Sequence, residues 1–380
     1  MQCFGNVDEL LRSDPQLPVY CVYPEVYQES TRHFVAGFPG RTLYAVKANN
    51  HPEVIRQIYA AGVRHFDCAS LPEVELVHGL CPDSTLYYMN PVRLDGHARR
   101  AQKEFGVRHF VVDHHSGLAP LVSEIDAKQS VIFARMAVSH DSAMEDLSSK
   151  FGAKPENIPA LLTAIRETGA EPALAFNVGS GVTDPEAYVY AIGVAQEALS
   201  KLSFKIRLLD VGGGFPRSYP GFVVPKLDDF FARMRAAAAT LPLVEGGELM
   251  SEPGRALSAP GLSAVTRVLL RKADRIYLND GMYGAFWELR FKGHLGYPCR
   301  TFRSGEVLTG ETKDFRVFGP TCDSSDKLPA RVTLPSDINV GDHIEFGSIG
   351  AYSLSGRTNF NGFYSDEVVS FTDPEATPPR

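Results

Sequence analysis

The chain has 380 residues, of which 44% are hydrophobic and 22% charged, the composition of a globular protein large enough for two sizeable cores. Its net charge of −7 and pI near 5.9 come without a basic stripe, which argues against nucleic acid as a partner. No apolar run reaches membrane-spanning length, so no membrane association is expected. The start, Met1-Gln2-Cys3-Phe4-Gly5-Asn6-Val7-Asp8, lacks the basic and apolar regions of a signal peptide. Cys3, Cys21, Cys68, Cys81, Cys299 and Cys322 are scattered without a C-x-x-C pair. That spacing suits a reducing, cytoplasmic setting and argues against structural zinc and a disulfide framework. No metal site is expected, because HExxH and EF-hand patterns are absent.

In chain order, Val19–Tyr23 is a short β-rich run. Apolar, β-branched-rich runs follow at 42–48, 65–70, 85–90, 109–113, 130–138, 172–179, 206–212 and 248–253. Amphipathic, helix-like stretches separate most of them, at 52–61, 71–79, 94–105, 116–125, 155–169, 184–201 and 227–240. This α/β alternation predicts a TIM-like (α/β)8 barrel over 25–258; an open doubly wound sheet is the alternative from pattern alone. The polar stretch Ser139-His140-Asp141-Ser142, between 138 and 172, is expected to be an active-site loop.

Past Pro260 the pattern changes to short strands split by Gly, Asp and Asn turns, at 266–270, 275–278, 315–318, 331–334, 343–346 and 367–371. They predict a C-terminal all-β domain, a barrel or sandwich, over 259–380, with the segment 1–24 pairing into it. The proline-rich tail, Thr372–Arg380, is expected to fray. No Pro/Gly linker separates the halves, so a rigid interface with a site between them is expected.

Function in such a barrel gathers at the C-terminal ends of its strands. Those ends carry Lys47, then Asp67 with Glu73 beyond it, Asn90, Asn177-Val178-Gly179-Ser180-Gly181, Asp210-Val211-Gly212-Gly213-Gly214 and Ser251-Glu252-Pro253-Gly254-Arg255. A lysine on a buried strand is costly unless it is salt-bridged, snorkels to water, or is held as an imine to an aldehyde cofactor. Consecutive glycines bare backbone N–H groups to an anion. An amine on one strand and a phosphate cradle on another are what pyridoxal 5'-phosphate requires.

With these motifs the sequence resembles the fold type III pyridoxal-phosphate decarboxylases, in their ornithine decarboxylase-like group, over essentially its whole length. The matching runs are Tyr44-Ala45-Val46-Lys47-Ala48-Asn49, Phe66-Asp67-Cys68-Ala69-Ser70, Val178-Gly179-Ser180-Gly181, Asp210 to Pro216, Glu252-Pro253-Gly254-Arg255, Gly319-Pro320-Thr321-Cys322-Asp323-Ser324-Ser325-Asp326 and Gly350-Ala351-Tyr352. The resemblance implies that Lys47 carries the cofactor aldehyde. Ser180, Gly213, Gly214, Gly254, Arg255 and Tyr352 would hold the phosphate end, and Asp67 would support Lys47. Glu252 would pair with the pyridine nitrogen, keeping it protonated as an electron sink; this favours decarboxylation over racemisation. Cys322 would reprotonate the α-carbon from a loop that crosses to a second subunit, so a homodimer with shared sites is implied. Asp323, with Phe291, Lys292 and Tyr352, would contact substrate.

The chain departs from the family at three places. Asn177 stands where a histidine usually stacks on the cofactor ring, and an amide offers a smaller π-face. Asp146 stands where an arginine is usual. Lys292 falls on the position that places an aspartate against the substrate's far ammonium, with Glu288 nearby as compensation if the register slips. A cation at Lys292 would repel a far ammonium and favour a carboxylate or neutral polar group. The expected substrate is a linear L-amino acid with a polar side chain, a diamino acid such as ornithine or lysine first and an acidic or capped relative close behind. A racemase and a catalytically weak regulatory homologue are the other readings.

Overall fold

The computed structural model describes residues 1–145, 147–291 and 295–380. Eight parallel strands, Gly40–Ala45, His65–Cys68, Thr85–Tyr88, His109–Val112, Val131–Ala137, Glu171–Asn177, Leu208–Asp210 and Glu248–Ser251, pair in order and close into a barrel. Closure pairs Leu249 with Gly40 and Ser251 with Thr42. Only glycine fits at 40, because a Cβ there would run into the Leu249 carbonyl. Leu43, Tyr87, Val111, Phe133, Ala173 and Met250 fill the interior, so the barrel is a packed core whose chemistry is confined to its rim. The open-sheet alternative is thereby excluded.

Helices cover the outside. One of them, Pro24–Gly37, was not expected from sequence. Its buried stripe is Tyr27, Thr31 and Phe34; with a threonine in the middle, the apolar period is broken. Phe34 packs edge-on against Phe231 of helix Leu227–Ala238 and against Phe215. Phe215 follows the glycine triplet and stacks on Tyr188, centroids 5.1 Å apart. The Tyr188 hydroxyl donates to the Gly213 carbonyl at 2.7 Å. An aromatic cluster under the barrel's outer layer thus anchors the glycine loop at the rim.

Ten further strands among the described residues form a second sheet system. Val19–Val22 runs antiparallel to Leu262–Lys272 and parallel to Val368–Phe371. A hairpin not expected from sequence, Cys299–Arg303 with Glu306–Val307, adds an edge beside His343–Phe346. The tail is not frayed. Thr372 and Asp373 donate to the carbonyls of Phe4 and Gly5 at 2.9 and 3.0 Å, and Arg300 donates to Thr377 at 3.1 Å. Backbone partners, which composition does not reveal, tie it down. No helix among the described residues is long and apolar enough to cross a membrane.

Candidate active site

The first barrel strand ends at Ala45, three residues short of the run expected at 42–48. Lys47 lies on the one-turn 3-10 helix Val46–Ala48. The chain leaves the ladder here because the β-domain grips it: Tyr352 N donates to Ala48 O at 2.7 Å, and Asn49 Nδ2 donates to Gly350 O at 2.8 Å. That turn swings the Lys47 amine into the barrel mouth. Its Nζ lies 2.7 Å from Asp67 Oδ2, with the lysine side chain 45% exposed and the aspartate 1%. Of the alternatives open for this lysine, the salt bridge is present in the protein alone. Burial pulls the ammonium pKa down, but the charges of Asp67 and Glu252 outweigh it and raise the pKa above its ordinary value.

Two more carboxylates converge there. Asp210, fully buried at the end of the seventh strand, accepts from Gly212 N at 2.8 Å. Burial first, then the Asp67 charge, push its pKa up to about 7. Glu252 follows the eighth strand, and burial and the neighbouring Asp67 and Asp210 charges raise its pKa well above the usual range. Asp67 Oδ1 and Asp210 Oδ2 are buried without a hydrogen-bond partner among the described residues. Lys47 and Arg135 are the cations acting on Glu252, and the two orphaned carboxylate oxygens leave a place for a further hydrogen-bond donor.

Lys47, Asn177, Ser180, Gly213, Gly214, Glu252, Gly254, Arg255 and Tyr352 line one recess. Glycine is needed where the cradle is tightest. At Gly214, with φ +96°, a Cβ would sit 2.5 Å from Gly179 O, and at Gly213 it would sit 2.7 Å from Glu252 O. Asn177 Oδ1 accepts from Gly179 N at 3.0 Å and so fixes the turn into Ser180. Ser180 opens a short strand, Ser180–Val182, paired with Ala143–Glu145; the polar loop after the fifth strand therefore folds over the recess. Arg255 starts the helix Arg255–Ser258, behind Gly254. Its guanidinium lies 5.5 Å from the centre of the Tyr352 ring. Tyr352 itself adopts a left-handed backbone, φ +56°, a strained state for a bulky residue. Glu73 turns back onto the start of its own helix, accepting from Ala69 N at 2.7 Å.

Next to the recess, a cavity of about 360 Å3 is lined by Lys47, Glu145, Leu147, Ser180, Arg255, Trp287, Glu288, Phe291 and Tyr352. Phe291 stands at its edge, 64% exposed. Cys322 and Asp323 do not line it. Both sit on an exposed loop of the β-domain, with Cys322 N bonded to Asn361 Oδ1 at 3.1 Å. Asp323 accepts from Ser325 and Tyr283, which hold its carboxyl down at about 2. Buried Asp326 knots this loop, accepting from Met282 N at 2.7 Å and Thr321 N at 3.1 Å. Lys292 and Asp146 lie outside the described residues.

Sequence reasoning gave no role to Tyr188 or Tyr219, and it named Asp210 without assigning it one. Glu288 was considered only as a compensating charge. Its signal was a carboxylate inside the apolar run Ala285-Phe286-Trp287-Glu288-Leu289.

An amine, a glycine-walled anion cradle and a carboxylate set for a cationic ring nitrogen define a pyridoxal-phosphate site at the mouth of a barrel. The profile of the pyridoxal-dependent decarboxylase pyridoxal-binding domain matches residues 26–259. The lysine/ornithine decarboxylase of Selenomonas ruminantium is 31% identical over 361 residues, 92% of this chain and 87% of that one. Antizyme inhibitor 2 of Xenopus laevis is 30% identical over 359 residues, 86% of this chain and 75% of that one. The crystal structure of the Vibrio vulnificus lysine/ornithine decarboxylase with putrescine superposes with a TM-score of 0.84 at 29% identity, covering 97% of this chain and 98% of that one. The chain belongs to the pyridoxal-dependent decarboxylases of fold type III, in the ornithine decarboxylase-like group. It is a carboxy-lyase that uses pyridoxal 5'-phosphate to decarboxylate an amino acid.

Proposed function

We propose that this decarboxylase converts a linear L-amino acid with a polar far end to its amine and CO2. Diamino acids such as ornithine and lysine come first, and an acidic or capped relative second. The observation that carries the reading is the convergence of Lys47, the glycine cradle, Arg255 and Glu252 in one recess, with buried Asp67 against Lys47 and the Asp67 and Asp210 charges acting on Glu252. Its relatives' names, lysine/ornithine decarboxylase among them, favour the diamino acids.

Pyridoxal phosphate supplies an aldehyde for the substrate amine and a ring that takes up the electrons left when CO2 departs. The protein does the rest. The Gly213 and Gly214 backbone, Ser180, Arg255 and Tyr352 would bind the phosphate and fix the ring's depth. Glu252 would hold a proton at the ring nitrogen. Asp67 holds the Lys47 Nζ at the rim, from which it can move into the cavity. Leu147, Trp287 and Tyr352 give the cavity apolar walls, with Phe291 at its mouth, and an apolar surrounding favours loss of a charged carboxylate as neutral CO2.

Cys322 would return a proton to the α-carbon, and Asp323 would face the substrate, both in the site of a second copy. Around them Phe360, Phe363 and Tyr364 are 39%, 45% and 41% exposed, an apolar surface suited to burial in a homodimer. Mixing Lys47→Ala protein, which cannot hold the cofactor aldehyde, with Cys322→Ala protein, which should yield little amine, should restore amine formation through one intact shared site per hybrid dimer.

The deciding experiment is CO2 release with added pyridoxal phosphate across diamino, acidic and acylated or hydroxylated L-amino acids. Turnover of ornithine or lysine supports the first substrate class, and turnover restricted to acidic or capped acids moves the assignment to the second. Lys47→Ala should lose the visible band of the lysine-bound cofactor; a band that survives unchanged removes Lys47 from its role. A weak enzyme with a regulatory role is the second reading, favoured by Asn177 at the ring-stacking position and by the antizyme inhibitor relative. It requires negligible CO2 release from every substrate tried.

A further inference from the structure

Arg255, assigned above to the cofactor's phosphate, is not free to receive it. Its Nη1 donates to Glu288 Oε2 at 2.8 Å, and its Nη2 makes a second bond to Glu288 Oε1. Nη1 also donates to the Tyr219 hydroxyl at 3.2 Å. The two charged side chains are 6% and 5% exposed. Glu288 sits on the one-turn helix Trp287–Arg290, and it lines the same cavity as Lys47, Ser180 and Arg255. A guanidinium offers five N–H donors in a fixed fork, and here the bidentate face is spent on a carboxylate.

We propose that Glu288 is a built-in competitor for phosphate at Arg255 and sets how tightly this chain holds its cofactor. The proposal rests on the reading of Arg255 as a phosphate-binding residue. An incoming phosphate meets a neutral ion pair instead of an open cation. It must displace the Glu288 carboxylate or share one guanidinium with it, two anions at close range in a poorly hydrated pocket. Without the phosphate, Glu288 supplies the counter-charge that a buried arginine needs. With it, that role is duplicated. Removing the Glu288 charge therefore costs the cofactor-free protein more than the loaded one, and by linkage the difference appears as tighter binding. Were Glu288 instead a positioning residue that aims Arg255 at the phosphate, its removal would loosen binding. The sign of the change separates the two roles.

Trp287, the chain's single tryptophan, lines the same cavity, so its fluorescence reports binding without turnover. Cofactor-free wild type, Glu288→Gln and Glu288→Asp are titrated with pyridoxal phosphate and with pyridoxal, which has the aldehyde but no phosphate. Glu288→Gln is expected to bind pyridoxal phosphate about tenfold more tightly, roughly 1.4 kcal/mol, with pyridoxal affinity unchanged. Glu288→Asp, which withdraws the carboxylate by one methylene, is expected to shift the same way by a smaller factor and stands in if Glu288→Gln does not fold. The cofactor-free Glu288→Gln protein is expected to melt below wild type, and the loaded proteins together. Unchanged or weaker pyridoxal phosphate binding in the variants overturns the proposal, as does an equal shift for pyridoxal. Wild-type protein that binds neither ligand overturns the cofactor-site reading itself, and the proposal with it.

Discussion

Replacing Asp67 by asparagine keeps the shape of the site and removes the charge closest to Lys47. Two unit charges 2.7 Å apart attract by about 6 kcal/mol at an effective dielectric of about 20. The lysine side chain is 45% exposed, however, and exposed pairs retain about 1 kcal/mol or less after solvent screening. With the aspartate buried and the lysine half in water, the coupling falls at about 1–3 kcal/mol, or roughly 1–2 pKa units. The ammonium pKa is raised in the folded protein. The stabilisation it brings is therefore complete below the unfolded lysine pKa and is lost as pH rises through the folded one. Asp67→Asn should lower the Lys47 pKa by that amount and shrink this high-pH loss. Competitive acylation of the cofactor-free protein across the alkaline range, read peptide by peptide, measures it directly. Lys47 should become reactive at lower pH in the variant, while other lysine-containing peptides stay put. Profiles of Lys47 that superimpose in the two proteins would refute the assignment of Asp67 as its controlling counter-ion.

Gly214→Ala should cost at least about 2 kcal/mol, from a left-handed backbone and a Cβ 2.5 Å from Gly179 O; a melting temperature within a degree of wild type would contradict the tight cradle. Asp210 has a folded pKa of about 7, above its unfolded value, so its ionisation opposes folding as pH rises from about 4 toward 7 and beyond. Asp210→Asn should melt higher than wild type at pH 8 in the cofactor-free state, with the difference vanishing below pH 4; a constant offset across this range removes Asp210 as the cause. Cys322→Ala should divert product toward an aldehyde and pyridoxamine phosphate, because the proton no longer reaches the α-carbon; an unchanged product ratio by chromatography takes Cys322 out of that step.

Much of the barrel was legible in the chain, and for a local reason. Strand Val131–Ala137 is an apolar run of β-formers, helix Pro52–Ala60 is amphipathic with proline at its start, and several strand ends are marked by a glycine, lysine or carboxylate that a buried ladder would not tolerate. The glycine triplet, Lys47 and Arg255 could be read as a cofactor site because their backbone demands and charges are visible residue by residue. Cys322 and Asp323, which the resemblance implies act in the site of a second copy, do not line the Lys47 cavity.

Other features lay beyond local pattern. Helix Pro24–Gly37 hides because Thr31 interrupts its apolar stripe. The tail looked disordered because composition cannot foresee that Phe4, Gly5 and Arg300 receive it. The sequence by itself determined which kinds of group reach the rim: an amine, a phosphate cradle and acids. Only the tertiary structure decided their pairing, Lys47 with Asp67 and Arg255 with Glu288. Each charge finds its partner across 20 or more residues of chain; around Arg255 and Glu288 burial removes the water that would have screened the contact, while Lys47 stays half in water against a buried aspartate.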